Sequence, residues 1–155
     1  MALKTTTSLI YTIGDMPEIP YPVTGYIYTL GAVMTHSGFE IPDNFMQNDN
    51  SITQISIGEG VTSVGSFAFD LCTSLTGTLT FPESILTLQP YAFKNCILLD
   101  GLTLPDSLVE IADGCFQNCI AFSGSLVIGP NVTTIGNEAF DGCTGFDGTL
   151  SIGSG

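Results

Sequence analysis

Leu126-Val127-Ile128-Gly129-Pro130-Asn131-Val132-Thr133-Thr134-Ile135-Gly136-Asn137-Glu138-Ala139-Phe140-Asp141-Gly142-Cys143 is one turn of a pattern that recurs along most of the chain. Its closing segment superposes on Ala68-Phe69-Asp70-Leu71-Cys72, Ala92-Phe93-Lys94-Asn95-Cys96 and Cys115-Phe116-Gln117-Asn118-Cys119, with the central Phe at spacings of 24, 23 and 24. Positions upstream keep step. Five residues before each Phe stand Val64, Leu88, Ile111 and Ile135; eight before stand Val61, Ile85, Leu108 and Val132. Twelve before stand Ile57, Phe81, Leu104 and Ile128, and fourteen before stand Ile55, Leu79, Leu102 and Leu126. Phe45 lies 24 residues before Phe69, with Asn48 in the Cys column, and Leu150 and Ile152 begin a further unit left incomplete. Registered columns at a fixed period are the signature of a repeat architecture.

The columns dictate the coil. The pair at fourteen and twelve before Phe alternates, as in Leu79-Thr80-Phe81, and reads as a short strand with two residues inward. Pro or Gly (Gly58, Pro82, Pro105, Gly129) then turns the chain. The i, i+3 pair at eight and five before Phe lines a second wall, and Ala-Phe-x-x-Cys a third, expected as a single helical turn. One such coil cannot bury its own apolar edge and is stable only when stacked, with strands of successive coils pairing in parallel. The expected fold is therefore a β-rich repeat solenoid over residues 41–155, its units centred on Phe45, Phe69, Phe93, Phe116 and Phe140. Residues 1–40 do not follow the columns. They hold Pro17, Pro20, Pro22 and a cluster of Tyr21, Tyr26 and Tyr28, and read as an irregular, β-containing N-terminal cap or anchor.

The unit Leu-x-Ile-Gly-x-x-Val-Thr-x-Ile-Gly-x-x-Ala-Phe-x-x-Cys resembles the BspA-type leucine-rich repeat, whose period range includes 23–24 residues. Phe122-Ser123-Gly124-Ser125-Leu126 and Phe146-Asp147-Gly148-Thr149-Leu150 match its Phe-x-Gly-x-Leu variant. Gln89-Pro90, Ala112 and Asn48 depart from the pattern. The resemblance implies surface proteins that adhere to host proteins or other cells, and it extends to modules of bacteriophage structural proteins.

Composition narrows the function further. The 155 residues include two Lys, no Arg, and fifteen Asp and Glu, for a formal net charge of −13. Too few cations are present to replace the counterions of nucleic acid or to attach to anionic lipid. No apolar run approaches the ~18–20 residues of a membrane span. Met1–Thr7 does not read as a signal peptide. His36, beside Ser37, is the sole imidazole, and no Gly-x-Ser-x-Gly elbow accompanies it. No cofactor, metal or catalytic residue is expected, and the chain reads as non-enzymatic. The column cysteines read as buried, reduced thiols. Glu59, Glu83 and Asp106, ten residues before Phe, read as a solvated acidic ladder, with cation bridging left open. Asn131-Val132-Thr133 matches a glycosylation sequon in a turn.

The outward strand positions form the candidate partner-binding set: Ser56, Thr80, Thr103, Ser125, Thr149 and Ser151, with Gln54, Thr78, Gly101 and Val127 beside them. Solenoids bind partners on such faces, although outward Thr is also simply a good strand former. Two functions follow. The first is an extracellular recognition or adhesion module for a protein or cell-surface partner. The alternative is a structural part of a larger assembly such as a virion appendage, with residues 1–40 as its anchor. Association is expected through residues 1–40 or through the last coil, whose strand edge would be open, and the natural chain is expected to continue past Gly155.

Overall fold

A computed structural model describes residues 26–30 and 39–153 of the chain. In order, the strands are β1 (Tyr26–Leu30), β2 (Phe39–Ile41), β3 (Ile52–Ile57), β4 (Val61–Val64), β5 (Gly77–Thr80), β6 (Thr87–Leu88), β7 (Leu99–Thr103), β8 (Glu110–Ile111), β9 (Leu126–Ile128), β10 (Thr134–Ile135) and β11 (Leu150–Ile152). All pair in parallel, each with its counterpart one coil away. Odd strands make the first wall as three pairs, β1–β3, β5–β7 and β9–β11; even strands make the second as one five-stranded sheet ordered β10-β8-β6-β4-β2. The register follows the sequence columns: Leu79 faces Leu102, Leu126 faces Leu150, and Val64 faces Leu88, which faces Ile111. The solenoid is as the periodicity requires.

The core lies between the walls. Phe69, Phe93 and Phe116 are fully buried and stack ring on ring, at 5.1 Å between the first two centroids and 5.7 Å between the second two. Phe140 continues the stack at 5.3 Å. A further inward column stands six residues after Phe: Leu75, Leu99 and Phe122 are buried, Phe146 lies half-buried against Phe122, and Ile52, six residues after Met46, is buried in line with them. The sequence columns had not included it.

The third wall is not helical, and no α-helix occurs among the described residues. Its amides alternate between two destinations. Phe67, Phe69 and Leu71 donate to Pro90, Ala92 and Lys94 of the next coil, while Ala68, Asp70 and Cys72 donate three residues back. A helix would need every amide to bond within the segment. Left-handed residues also interrupt each turn, two before and two after Phe: Phe67 and Leu71, Tyr91 and Asn95, Gly114 and Asn118, Glu138 and Gly142. Inter-coil bonding outcompetes the local helix that the Ala-Phe-x-x-Cys spacing suggested.

The first coil corrects two further expectations. Met46, not Phe45, occupies the spine: its amide donates to Ala68 as Phe69's does to Ala92, and it is 6% exposed. Phe45 is half-buried and meets Phe69 edge-on at 6.1 Å. Asp49 rather than Asn48 then falls in the Cys column, and Asn48 takes the left-handed position. Upstream, β1 pairs with β3, Tyr28 facing Ile55 and Leu30 facing Ile57, so strand stacking begins before residue 41.

Candidate partner-binding face

The first wall sorts its residues by alternation. Leu79 and Ile128 point inward and are buried, while the positions between them point out. Ser56, Thr80, Thr103, Ser125, Thr149 and Ser151 are all exposed, together with Gln54, Thr78 and Val127. Parallel stacking brings them into two rows: Thr80 faces Thr103, Thr78 faces Gly101, and Val127 faces Ser151. Ser125 and Thr149 lie 3.2 Å apart through their hydroxyl oxygens, and the Ser125 hydroxyl also accepts the Thr149 amide at 3.0 Å. A β-carbon on Gly101 would lie 2.5 Å from Thr78 Oγ1, so the glycine is what lets the Thr78 side chain lean across its neighbour. The hydroxyls of Ser56, Thr80 and Thr103 have no partner among the described residues and remain available to a ligand. Tyr26 and Tyr28 lie on β1; Tyr21 and His36 lie outside the described residues.

The remaining candidates are structural. Cys72, Cys96, Cys119 and Cys143 each donate a thiol hydrogen bond to the carbonyl of Met46, Phe69, Phe93 and Phe116, at 3.0, 3.1, 3.2 and 3.0 Å. All five cysteines are free thiols, and all but Cys143 are buried. Burial pushes their pKa values up, to about 12 for Cys72 and about 11 for Cys143. Such thiols are poor nucleophiles and poor ligands, since both roles need the thiolate. The acidic ladder is solvated: Glu59, Glu83 and Asp106 are exposed, and Glu83 accepts the Ser107 amide at 3.2 Å. Among the described residues no group of three or more His, Cys, Asp or Glu comes together to hold a metal ion. Asn131 of the sequon is exposed, its side-chain amide donating to the Asp106 carbonyl at 2.8 Å.

Two surface features escaped the sequence reading. Phe67 and Tyr91 stack at 5.0 Å on the third wall, both half-buried, with the Lys94 ammonium 4.9 Å from the Tyr91 ring centre. Their signal was a column two residues before Phe, which the eye passes over because Gly114 and Glu138 share it. The second is a polar groove of about 350 Å³ on the second wall, reached by Glu40, Asp43, Ser63 and Gln89. Its residues come from three coils and no local motif announces them.

Parallel strands stacked at a fixed period, with one large apolar side chain of each coil in a shared spine, define a parallel β-solenoid. The chain belongs to the BspA-type leucine-rich repeat family, whose model matches six copies over residues 39–151. Among solved structures it is similar to a leucine-rich repeat protein of T. pallidum, at 24% identity and a TM-score of 0.65, covering 76% of this chain and 54% of that one. It is also similar to a leucine-rich cell surface protein of Faecalibacterium prausnitzii A2-165, at 24% identity and a TM-score of 0.70, covering 94% of this chain and 43% of that one. The chain thus spans about half the length of the structures it resembles. No curated protein matches it. No helix among the described residues is long and apolar enough to cross a membrane.

Proposed function

We propose that this chain is a non-enzymatic recognition module, displayed outside the cell, that binds a protein or cell-surface partner through the first wall. The observation that carries the reading is a row of outward hydroxyls with no bonding partner among the described residues. Ser56, Thr80 and Thr103 are exposed and unpaired among the described residues. Family membership and the cell-surface neighbour support display. A rigid sheet face presents its contacts without ordering cost on binding, which is how an interface with small side chains gains affinity. To test this, the labelled chain is added to panels of bacterial and animal cells and saturable binding is measured. Replacing Thr80 and Thr103 together by Lys should abolish that binding. Stability should fall by no more than about 1 kcal/mol, the scale of like charges set opposite each other on paired strands. Binding that survives the double substitution would move the site off this face, and absence of saturable binding to any cell would remove the adhesion reading.

A further inference from the structure

The groove on the second wall lies across β2, β4 and β6, with Glu40, Asp43, Ser63, Ser66, Thr87 and Gln89 around it. Its chemistry is lopsided. Ionised carboxylates only accept hydrogen bonds. Asp43 Oδ1 already accepts the Ser66 amide at 2.6 Å, which leaves its second oxygen. The Gln89 amide nitrogen donates to Thr87 Oγ1 at 3.4 Å, which leaves the Gln89 carbonyl oxygen. Ser63 is only 8% exposed, and its hydroxyl, which lines the groove, has no partner among the described residues. A polar side chain more than nine-tenths buried normally finds a hydrogen-bond partner. The Ser63 hydroxyl is open to the groove, where its partner is water or the group that displaces it.

The occupant must be cationic and rich in donors. Lys94 is the one basic side chain among the described residues, and it sits over Tyr91 on another wall, so nothing in them balances Glu40 and Asp43. A hard divalent cation wants six to eight oxygen ligands, roughly, and gains from several carboxylates. The groove has two, and no metal-holding group of three forms among the described residues. An anion would meet both carboxylates, and a sugar ring would find no aromatic platform among the lining residues. A guanidinium matches this lining in charge and in donor chemistry. Its five donors are fixed in a plane and pair with carboxylates in a fork, with further donors left for neutral oxygens. We infer that this groove receives an arginine side chain presented by a protein partner. The inference rests on the recognition reading and adds to it a second wall and a chemical class of partner.

The probe is N-acetyl-arginine methylamide, titrated into the full chain while backbone amide NMR signals are followed. The signals of Ser63, Gly65, Ser66 and Thr87 should move together and saturate, and the lysine analogue should bind more weakly. Glu40→Gln should weaken binding about tenfold, the loss expected for one charge-assisted hydrogen bond. Glu59→Gln removes the same charge from an exposed turn and should change nothing. Glu40 is exposed, so its substitution leaves the fold intact; Asp43→Asn, which keeps the Oδ1 acceptor, should read the same loss. Shifts scattered over the acidic surface, equal effects of Glu40→Gln and Glu59→Gln, or calcium displacing the probe at the same signals would each overturn the assignment. Saturable cell binding through Thr80 and Thr103 with no shift at the groove would sink this inference alone. Groove binding without any cell binding would sink only the proposed display function.

Discussion

Each thiol in the column is held by the backbone of the coil before it, and that contact is tied to its protonation. Cys72 donates to Met46 and Cys143 to Phe116, each at 3.0 Å, and a thiolate could not donate. Burial is the largest cause of the raised pKa values, about 12 for Cys72 and about 11 for Cys143 against an ordinary 9.0. The sign follows from which state binds the proton. Below pH 9 both folded and unfolded chains keep their thiols protonated, and the contribution to stability is fully present. Above it the unfolded chain releases protons that the folded chain retains, so stability falls as pH rises, until the folded values near 11 and 12 are passed. Urea titrations at a pH just below 9 and at one between the ordinary and folded values should show a clear drop in midpoint, and Cys72→Ala with Cys143→Ala should lessen it without abolishing it, because buried Cys96, Cys115 and Cys119 also hold their protons in the fold. A midpoint that falls as steeply in the double variant would assign the alkaline loss to other groups.

At the scale of the element, the third-wall turn depends on what occupies its left-handed positions. Asn and Gly enter that region most readily. Asn95 and Asn118 use it well: the Asn118 amide donates to Asn95 at 3.0 Å and the Asn95 amide to Asp70 at 3.3 Å, a chain of side chains running from coil to coil. Gly114 has φ +57°, and an added β-carbon would lie 2.3 Å from the Tyr91 ring. Gly114→Ala should therefore destabilise by about 2 kcal/mol, combining overpacking with backbone strain. In a Tyr91→Ala background the ring is gone, and the same substitution should cost only about 1 kcal/mol of strain. Equal costs in the two backgrounds, from denaturant titration, would show that the ring does not press on Gly114. The coil was legible because strand and wall positions repeat one apolar residue per column, as Val64, Leu88 and Ile111 do. The turn was not, because the spacing of Ala92, Phe93 and Cys96 is equally that of a helix, and only the inter-coil hydrogen bonds decide between them. Phe45 and Met46 are adjacent and both apolar, so volume alone could not say which one turns inward. β1 was legible as a strand from the alternation of Tyr26–Leu30; its place in the stack was not, because the longer stretch between Leu30 and Ile41 breaks the period although the pairing to β3 survives. The first-wall face could be read from alternation; the groove could not, since Glu40, Ser63 and Thr87 meet only once three coils are stacked.

For the molecule as a whole, stability is carried by contacts between neighbouring coils, so the same substitution should have different consequences along the axis. Phe93 lies between two rings, 5.1 Å from Phe69 and 5.7 Å from Phe116, and Phe81 meets it edge-on at 5.7 Å. Phe140 stacks on Phe116 alone among the described residues and is only half-buried. Phe93→Ala removes a fully buried ring from both interfaces of its coil and should cost about 3–5 kcal/mol. Phe140→Ala leaves solvent to fill part of the space and should cost about half as much. Because repeats couple to their neighbours, the central loss should also weaken the coupling between the two halves of the solenoid. Amide exchange in the Phe93→Ala protein should then protect the coils on either side unequally, whereas Phe140→Ala should accelerate exchange only in the last coils. Equal destabilisation by the two substitutions, with exchange rising uniformly along the axis, would mean that the chain unfolds as one undivided unit and that the phenylalanine stack does not set the strength of its interfaces.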